Sequence, residues 1–188
     1  MNAKRNLYIL CGGSSRRMGR DKAMLKIDGE TFIQRIVSKS KSPFAETVLL
    51  SGSNTYHIDI RHLEDKQPDS GPLGGLLSGL QDVDNMDRWI AIVPIDLPLI
   101  SQTSIHYLAE TIPDRSSDAH IARSDDRIQP LCGLYHTSVQ PKLEHYLTSG
   151  NRRVMGFLKE LNYSYFNLTK EEIRNVNSRQ DFEQLNDD

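Results

Sequence analysis

Short apolar runs rich in branched residues alternate along this chain with longer stretches in which apolar positions recur every three or four residues. That alternation predicts a layered α/β sheet. Three runs are nearly continuous: Leu7–Cys11 ends in Gly12-Gly13, Thr47–Ser51 ends in Gly52, and Trp89–Val93 ends near Pro94 and Asp96. Unbroken apolarity predicts strands covered on both faces. His120–Arg123, Gln129–Tyr135 and Tyr163–Leu168 are weaker strand candidates. Thr31–Ser38 sets Phe32, Ile33, Ile36 and Val37 at helical spacing, and Leu73–Gln81 does the same with Leu73, Leu76, Leu77 and Leu80. Both predict sheet-covering helices.

Punctuation refines this outline. Ser101 caps a helical segment carrying Ile105, Leu108 and Ile112, and Ser178 with Asp181 three residues on is a capping-box variant opening a C-terminal helix. Asp114 to Asp118 is a turn-rich surface loop. Pro94 has no N–H for a ladder, so the third strand is expected to stop there. Asp96 then lies just past a strand's carboxyl end, where open α/β sheets bind their ligands.

Composition narrows the class. The 188 residues suit one domain, expected over 1–188, and neither an internal repeat nor a low-complexity linker divides them. Lys plus Arg number 23 against 25 Asp plus Glu, a net charge of −2 that disfavours a nucleic-acid binder. At 37% apolar and 26% charged, the chain is expected to fold as a soluble globule. No run approaches the ~18 apolar residues of a membrane span, and no targeting segment leads out of the cytoplasm. Cys11 and Cys132 stand far apart and fit a reducing compartment rather than a disulfide framework.

Five segments could carry chemistry. Gly12 to Lys22 leaves the first strand rich in backbone donors, with Arg17 and Lys22 adding charge. It is neither a Walker A loop nor a G-x-G-x-x-G fingerprint, and a flexible basic turn is an equal reading. Asp96 suits Mg²⁺, which takes one or two protein carboxylates, or it caps the next helix. Glu64-Asp65 precede Gly71-Pro72-Leu73-Gly74-Gly75, whose glycines open a helix either toward an anion or toward close packing on the sheet. Arg152 and Arg153 at a helix start are mismatched with the helix dipole, which calls for an anion unless the pair is a solvated face. Asn175 and Asn177, two residues apart, either face one polar ligand together or form a turn. The six histidines lack ligand spacing and no serine sits in G-x-S-x-G, so zinc hydrolysis and elbow-type serine catalysis lack support.

Taken in order, these pieces resemble the molybdenum cofactor guanylyltransferase (MobA-type) family of nucleotidyltransferases over nearly the whole chain. The most specific element is G-G-x-S-x-R-M-G-x-D-K at Gly12 to Lys22, joined by Glu64-Asp65, Gly71-Pro72-Leu73, Asp96 with Pro98, Gly150 to Leu158, and Asn175 with Asn177. The resemblance implies a Rossmann-like three-layer α/β sandwich with a mostly parallel central sheet. It also implies an enzyme that uses GTP and Mg²⁺ to place GMP on molybdenum-bound molybdopterin, releasing pyrophosphate.

Carried over by position, Leu10, Cys11 and Gly12 would hold guanine through main-chain groups, with Gly13 completing the turn. Cys11 stands where alanine is frequent. Arg17 and Lys22 match triphosphate-binding positions, Asp65 a nucleotide-contacting carboxylate, and Asp96 the metal ligand. Gly74 and Gly75 fall where a helix approaches the nucleotide. Arg152, Arg153, Asn175 and Asn177 match the surface receiving the pterin. Ser51-Gly52-Ser53 departs from the asparagine frequent after the second strand, which bears on a ribose or base contact. Chemically, the pterin phosphate would attack, Mg²⁺ on Asp96 would bridge α and β oxygens, and Lys22 and Arg17 would stabilise the leaving pyrophosphate. Transient contact with other cofactor-biosynthesis proteins or apo-molybdoenzymes is implied as well. The rivals are a sibling using CTP or a sugar phosphate, and a non-catalytic nucleotide-binding adaptor that delivers cofactor.

Overall fold

The computed structural model describes residues 4–11, 21–52, 54, 56–64, 70–84, 88–125 and 127–186. In chain order its strands and helices are β1 (Leu7–Leu10), β2 (Lys26–Ile27), β3 (Glu30–Thr31), α1 (Phe32–Ser40), β4 (Thr47–Leu50), β5 (Arg61–Leu63), α2 (Pro72–Gln81), β6 (Trp89–Pro94), α3 (Gln102–Glu110), β7 (Ala119–Ser124), β8 (Arg127–His136), α4 (Gln140–Thr148), α5 (Val154–Leu158), β9 (Tyr163–Asn167) and α6 (Arg179–Asn186). Seven strands form one sheet in the order β5-β4-β1-β6-β8-β7-β9, and β2 pairs with β3 apart from it. Within the sheet β8 runs antiparallel to both its neighbours, while the remaining pairs are parallel. The expected α/β architecture with a mostly parallel sheet is therefore present.

Both faces of the sheet are covered, which explains the unbroken apolar runs. Along β1, Leu7 and Ile9 join Phe32, Ile36, Ile105 and Leu108 on one side. Tyr8 and Leu10 point the other way, against Leu73, Leu76, Leu77 and Leu80 of α2 and the apolar residues of α4 and α5. The third strand stops at Pro94, as its missing N–H demands. Thr31 is the cap of α1 rather than its first residue: its hydroxyl accepts the Gln34 N–H, and the Gln34 carbonyl oxygen accepts the Thr31 N–H.

Local signals mattered where the outline differs from expectation. Ile105 and Leu108 enter the core, but Ile112 is 64% exposed because α3 has ended at Glu110. Pro113 follows, and the residue before a proline is disfavoured in a helix. The strands Lys26–Ile27, Glu30–Thr31 and Arg61–Leu63 are too short to show a periodicity. Helix α4, not among the helices expected from the periodicity, buries Leu143, Tyr146 and Leu147 at helical spacing. Gly75 packs where a Cβ would come within 2.6 Å of Leu10 Cδ2, so α2 lies close on β1. His120 is a core residue, its ring between the Tyr107 hydroxyl at 3.1 Å and Ser164 Oγ at 2.7 Å.

The C-terminal segment is tied back to the start of α3. Glu172, nearly buried, accepts hydrogen bonds from Ser101 N–H at 3.1 Å, Ser104 Oγ at 2.6 Å and Thr169 N–H at 2.9 Å. Burial by itself would raise its pKa, but these donors outweigh it and hold the carboxyl at about 2. Because the folded pKa lies below the ordinary value of 4.5, this stabilisation is complete above that value and is lost as the pH falls through about 2. Glu172→Gln should thus cost roughly 2 kcal/mol at pH 7 and flatten the acid limb of the stability curve. Urea melts at pH 7 and pH 3 check this; an unchanged acid limb would count against it.

Candidate functional site

Strands β1, β4, β5 and β6 are mutually parallel, so Cys11, Ser51, Glu64 and Ile95-Asp96 all leave the sheet at one edge. Main-chain bonds stitch that edge together. Ile95 N–H donates to the Leu10 carbonyl at 3.0 Å, and Cys11 N–H donates to the Leu50 carbonyl at 2.9 Å. The Leu10 carbonyl and the Cys11 N–H, two main-chain groups of the segment expected to hold guanine, are thus engaged in the sheet. Helix α2 starts at the same edge from Gly71, whose φ of 61° and ψ of −155° suit glycine, with Pro72 next.

Asp96 is the unusual group. Its Oδ1 is buried and has no hydrogen-bond partner among the described residues. Burial pushes its carboxyl above the usual range, and the nearby Lys22, its own backbone N–H and Arg127 pull it back in part. An unpartnered buried carboxylate oxygen is unfavourable in isolation and is what a cation site leaves in the absence of its ion. Among the described residues no three His, Cys, Asp or Glu side chains converge on a metal position. A single carboxylate fits a hard cation whose other ligands are water and substrate oxygens.

The segment from Asn175 to Asn177 closes one wall of the site. Val176 is fully buried, and its N–H donates to the Asp96 carbonyl at 3.0 Å. The two flanking amides both meet polar partners, as a spacing of two residues implies: Asn177 Oδ1 accepts from Lys22 Nζ at 2.7 Å, and Asn175 Oδ1 accepts from Gln129 Nε2. Asn177 is itself held by the start of α6, where Asp181 Oδ2 accepts the N–H groups of Asn177 at 2.8 Å and Ser178 at 2.7 Å. Asp181 N–H returns a bond to Ser178 Oγ at 3.1 Å, completing the capping box read from the sequence.

Lys22, Asp96 and the pair Asn175 and Asn177 are therefore brought together from three distant parts of the chain. Arg152 and Arg153 are not among them. Arg152 Nη1 donates to the carbonyls of Leu147 at 2.6 Å and Asn151 at 2.7 Å, closing the C-terminal end of α4, while Arg153 is the residue before α5. Phe157 and Leu158 of α5 belong to the α2 side of the sheet, whereas Ala23 and Val176 belong to the opposite side. The electrostatic mismatch expected of Arg152 at a helix start is relieved by the carbonyl end of the preceding helix. Gly75 serves close packing, and Gly74 is buried beside it. Gly12, Gly13, Arg17 and Asp65 lie outside the described residues.

Two neighbours escaped the reading of the sequence. Gln129 and Arg127 stand on β8 two residues apart, where a ladder irregularity between Ile121 and Ala122 skips Pro130, Leu131 and Cys132. Such bulges re-aim side chains near functional sites. The only hint in the sequence is a polar residue beside a proline within an otherwise apolar strand.

A family model described as the MobA-like NTP transferase domain matches residues 7–163. The chain is similar to a probable molybdenum cofactor guanylyltransferase of Bacillus cytotoxicus, with 31% identity over 189 residues covering 94% of each protein. It is similar as well to the molybdenum cofactor guanylyltransferase of Vibrio cholerae, with 31% identity over 84% of this chain and 78% of that one. Among solved structures, the molybdopterin-guanine dinucleotide biosynthesis protein A of Archaeoglobus fulgidus shares the fold at a TM-score of 0.81 and 21% identity over 97% of both chains.

Neutralising Asp96 removes a charge that burial disfavours. Asp96→Asn should raise the unfolding midpoint of the ligand-free protein by a few degrees, the gain expected when a functional group that strains the fold is removed. Differential scanning calorimetry without nucleotide or metal checks this, and a lowered midpoint would contradict it.

Proposed function

Since this chain belongs to the MobA-like NTP transferase family, we propose that it is a molybdenum cofactor guanylyltransferase. In this reading, residues 1–188 act as one nucleotidyltransferase domain that moves GMP from GTP to the terminal phosphate of molybdenum-bound molybdopterin. The products are the guanine dinucleotide cofactor and pyrophosphate. The observation that supports it best is the meeting of Lys22 and Asp96 beside the Asn175–Asn177 segment, a cation and a buried carboxylate at the carboxyl edge of parallel strands.

Displacement at a phosphate requires neutralised charge and aligned reactants more than a covalent nucleophile from the protein. Lys22 contributes fixed positive charge toward the leaving pyrophosphate, and Arg17 of the same sequence motif is the second cation. Asp96, whose Oδ1 is buried without a partner among the described residues, would hold Mg²⁺. The ion, once bound, supplies Lewis-acid neutralisation of phosphate oxygens. The nucleotide is received by Leu10, Cys11, Gly12 and Gly13, by Asp65, and by the helix start near Gly74 and Gly75. Asn175 and Asn177 meet the pterin: their oxygens accept from Gln129 and Lys22, and among the described residues their N–H₂ groups remain as donors toward its carbonyl and phosphate acceptors. Among the described residues, Arg152 retains Nε and its second amino group for an anion, and Arg153 adds a further cation. The enzyme works in the cytoplasm and hands its product to later cofactor-biosynthesis proteins or apo-molybdoenzymes.

Lys22→Ala and Asp96→Asn should each lower turnover by about 10² to 10³, the usual loss on deleting one electrostatic stabiliser. Pyrophosphate release from purified protein with molybdopterin, Mg²⁺ and either GTP or CTP measures it. Turnover preferring CTP would overturn the base assignment, and absence of pyrophosphate with either nucleotide would favour the adaptor.

A further inference from the structure

Within the Gly12–Lys22 motif, Asp21 has no part in the chemistry described above, yet its carboxylate accepts hydrogen bonds from Ala23, Asn54 and Tyr56. We propose that Asp21 is a positioning residue for Lys22, held in turn by the hydroxyl of Tyr56. The inference rests on the guanylyltransferase reading, in which Lys22 faces the triphosphate.

The geometry is specific. Residues Lys22–Met24 form one 3₁₀ turn, and Asp21 caps it in extended conformation, Oδ1 accepting the Ala23 N–H at 3.0 Å. The second oxygen, Oδ2, accepts from the Tyr56 hydroxyl at 2.6 Å and from Asn54 Nδ2 at 3.4 Å. Tyr56 is almost fully buried and reaches Asp21 from the connection after β4, so the carboxylate ties together the segments leaving two adjacent parallel strands. The short distance and the ionised acceptor make this a strong hydrogen bond.

Packing alone leaves Lys22 under-determined. Ala23 is fully buried against the α1 side of the core and sets the depth of the turn. On the flank beside Asp21, Asn54, Tyr56 and Gln34 a cavity of about 450 Å³ opens instead of a packed wall. Hydrogen bonds rather than side-chain contacts therefore fix the angle at which the turn is set on that flank. From that turn Lys22 Nζ reaches Asn177 Oδ1 at 2.7 Å, across 155 residues of chain. A lysine has four rotatable side-chain bonds, and a turn rotated by a few tens of degrees would carry its ammonium out of reach of a phosphate that needs it within about 3 Å.

Asp21→Ala, Asp21→Asn and Tyr56→Phe, each alone and combined with Lys22→Ala, test this in the full chain with GTP, Mg²⁺ and molybdopterin. Asp21→Ala should lower kcat roughly tenfold with a smaller change in the KM for GTP, as expected of a misplaced transition-state contact. Asp21→Asn, whose amide oxygen still accepts the Ala23 N–H, should recover activity to within about threefold of wild type, and Tyr56→Phe should lose about three- to fivefold. On the Lys22→Ala background each loss should shrink below about twofold, because the residues act through one group. Losses that simply multiply would overturn the proposal and leave Asp21 a structural cap.

A ligand-free arm separates this from the functional reading. The Lys22 ammonium ¹⁵N signal, slowed in exchange by its bond to Asn177, should vanish in Asp21→Ala and persist in Asp21→Asn. Its persistence in Asp21→Ala would overturn the proposal. If the wild type releases no pyrophosphate while these signals behave as expected, the positioning stands and the guanylyltransferase reading falls.

Discussion

A carboxylate oxygen held out of water without a donor is an unfavourable arrangement, and the site around Asp96 is organised by that cost. The side chain follows a strand that ends because Pro94 can make no further ladder bond, and its carbonyl is held by Val176 from the far end of the chain. Cations stand near it without neutralising its burial: Lys22 is bonded to Asn177, and Arg127 opens the antiparallel strand β8. The arrangement leaves one oxygen to a ligand from outside the protein. Sites of this kind lower the stability of the empty molecule in exchange for binding.

The remainder of the fold explains why that oxygen stays where it is. Strands β1, β4 and β6 are buried on both faces, so the groups that leave their carboxyl ends start from a rigid edge. The C-terminal segment then fastens itself across this edge by polar bonds on either side of two buried anchors, Ile173 and Val176. Glu172 holds the start of α3, and Asp181 holds Asn177. The Asp181 bond is local, but the bonds from Glu172 to Ser101 and Ser104, from Val176 to Asp96 and from Asn177 to Lys22 join distant segments. The site forms only when the last quarter of the chain docks onto the first, and its geometry inherits the cooperativity of the whole domain.

Much of the frame was legible because burial on two faces writes itself as an unbroken apolar run and burial on one helix face writes itself as a period near 3.6. Leu7–Leu10, Thr47–Leu50 and Trp89–Pro94 are of the first kind, and Phe32–Ser40 and Pro72–Gln81 of the second. Caps at Ser101 and Ser178 were legible for a different reason, since a hydroxyl three residues before its partner amide is a local geometry. Polar bonds between distant segments leave no such trace. Gln129 beside Asn175, Tyr56 beside Asp21 and the two carbonyls under Arg152 occupy ordinary positions in ordinary segments. Arg152 and Arg153 show the consequence: the resemblance gives them one surface with Asn175 and Asn177, while their apolar neighbours Phe157 and Leu158 pack on the opposite side of the sheet from Val176.

Residue order alone was enough for the layered α/β class, the end of the third strand, and the candidacy of Lys22 and Asp96, since each follows from backbone chemistry or from the periodicity of burial. It was the folded chain that decided which candidates meet. Lys22, Asp96, Asn175 and Asn177 converge, and Arg152 instead closes the end of α4. The physical reason is that hydrophobic burial depends on residue type and period, which a sequence displays directly. Hydrogen bonds and charge pairs depend instead on the position and direction of single atoms, which exist only once the layers have packed.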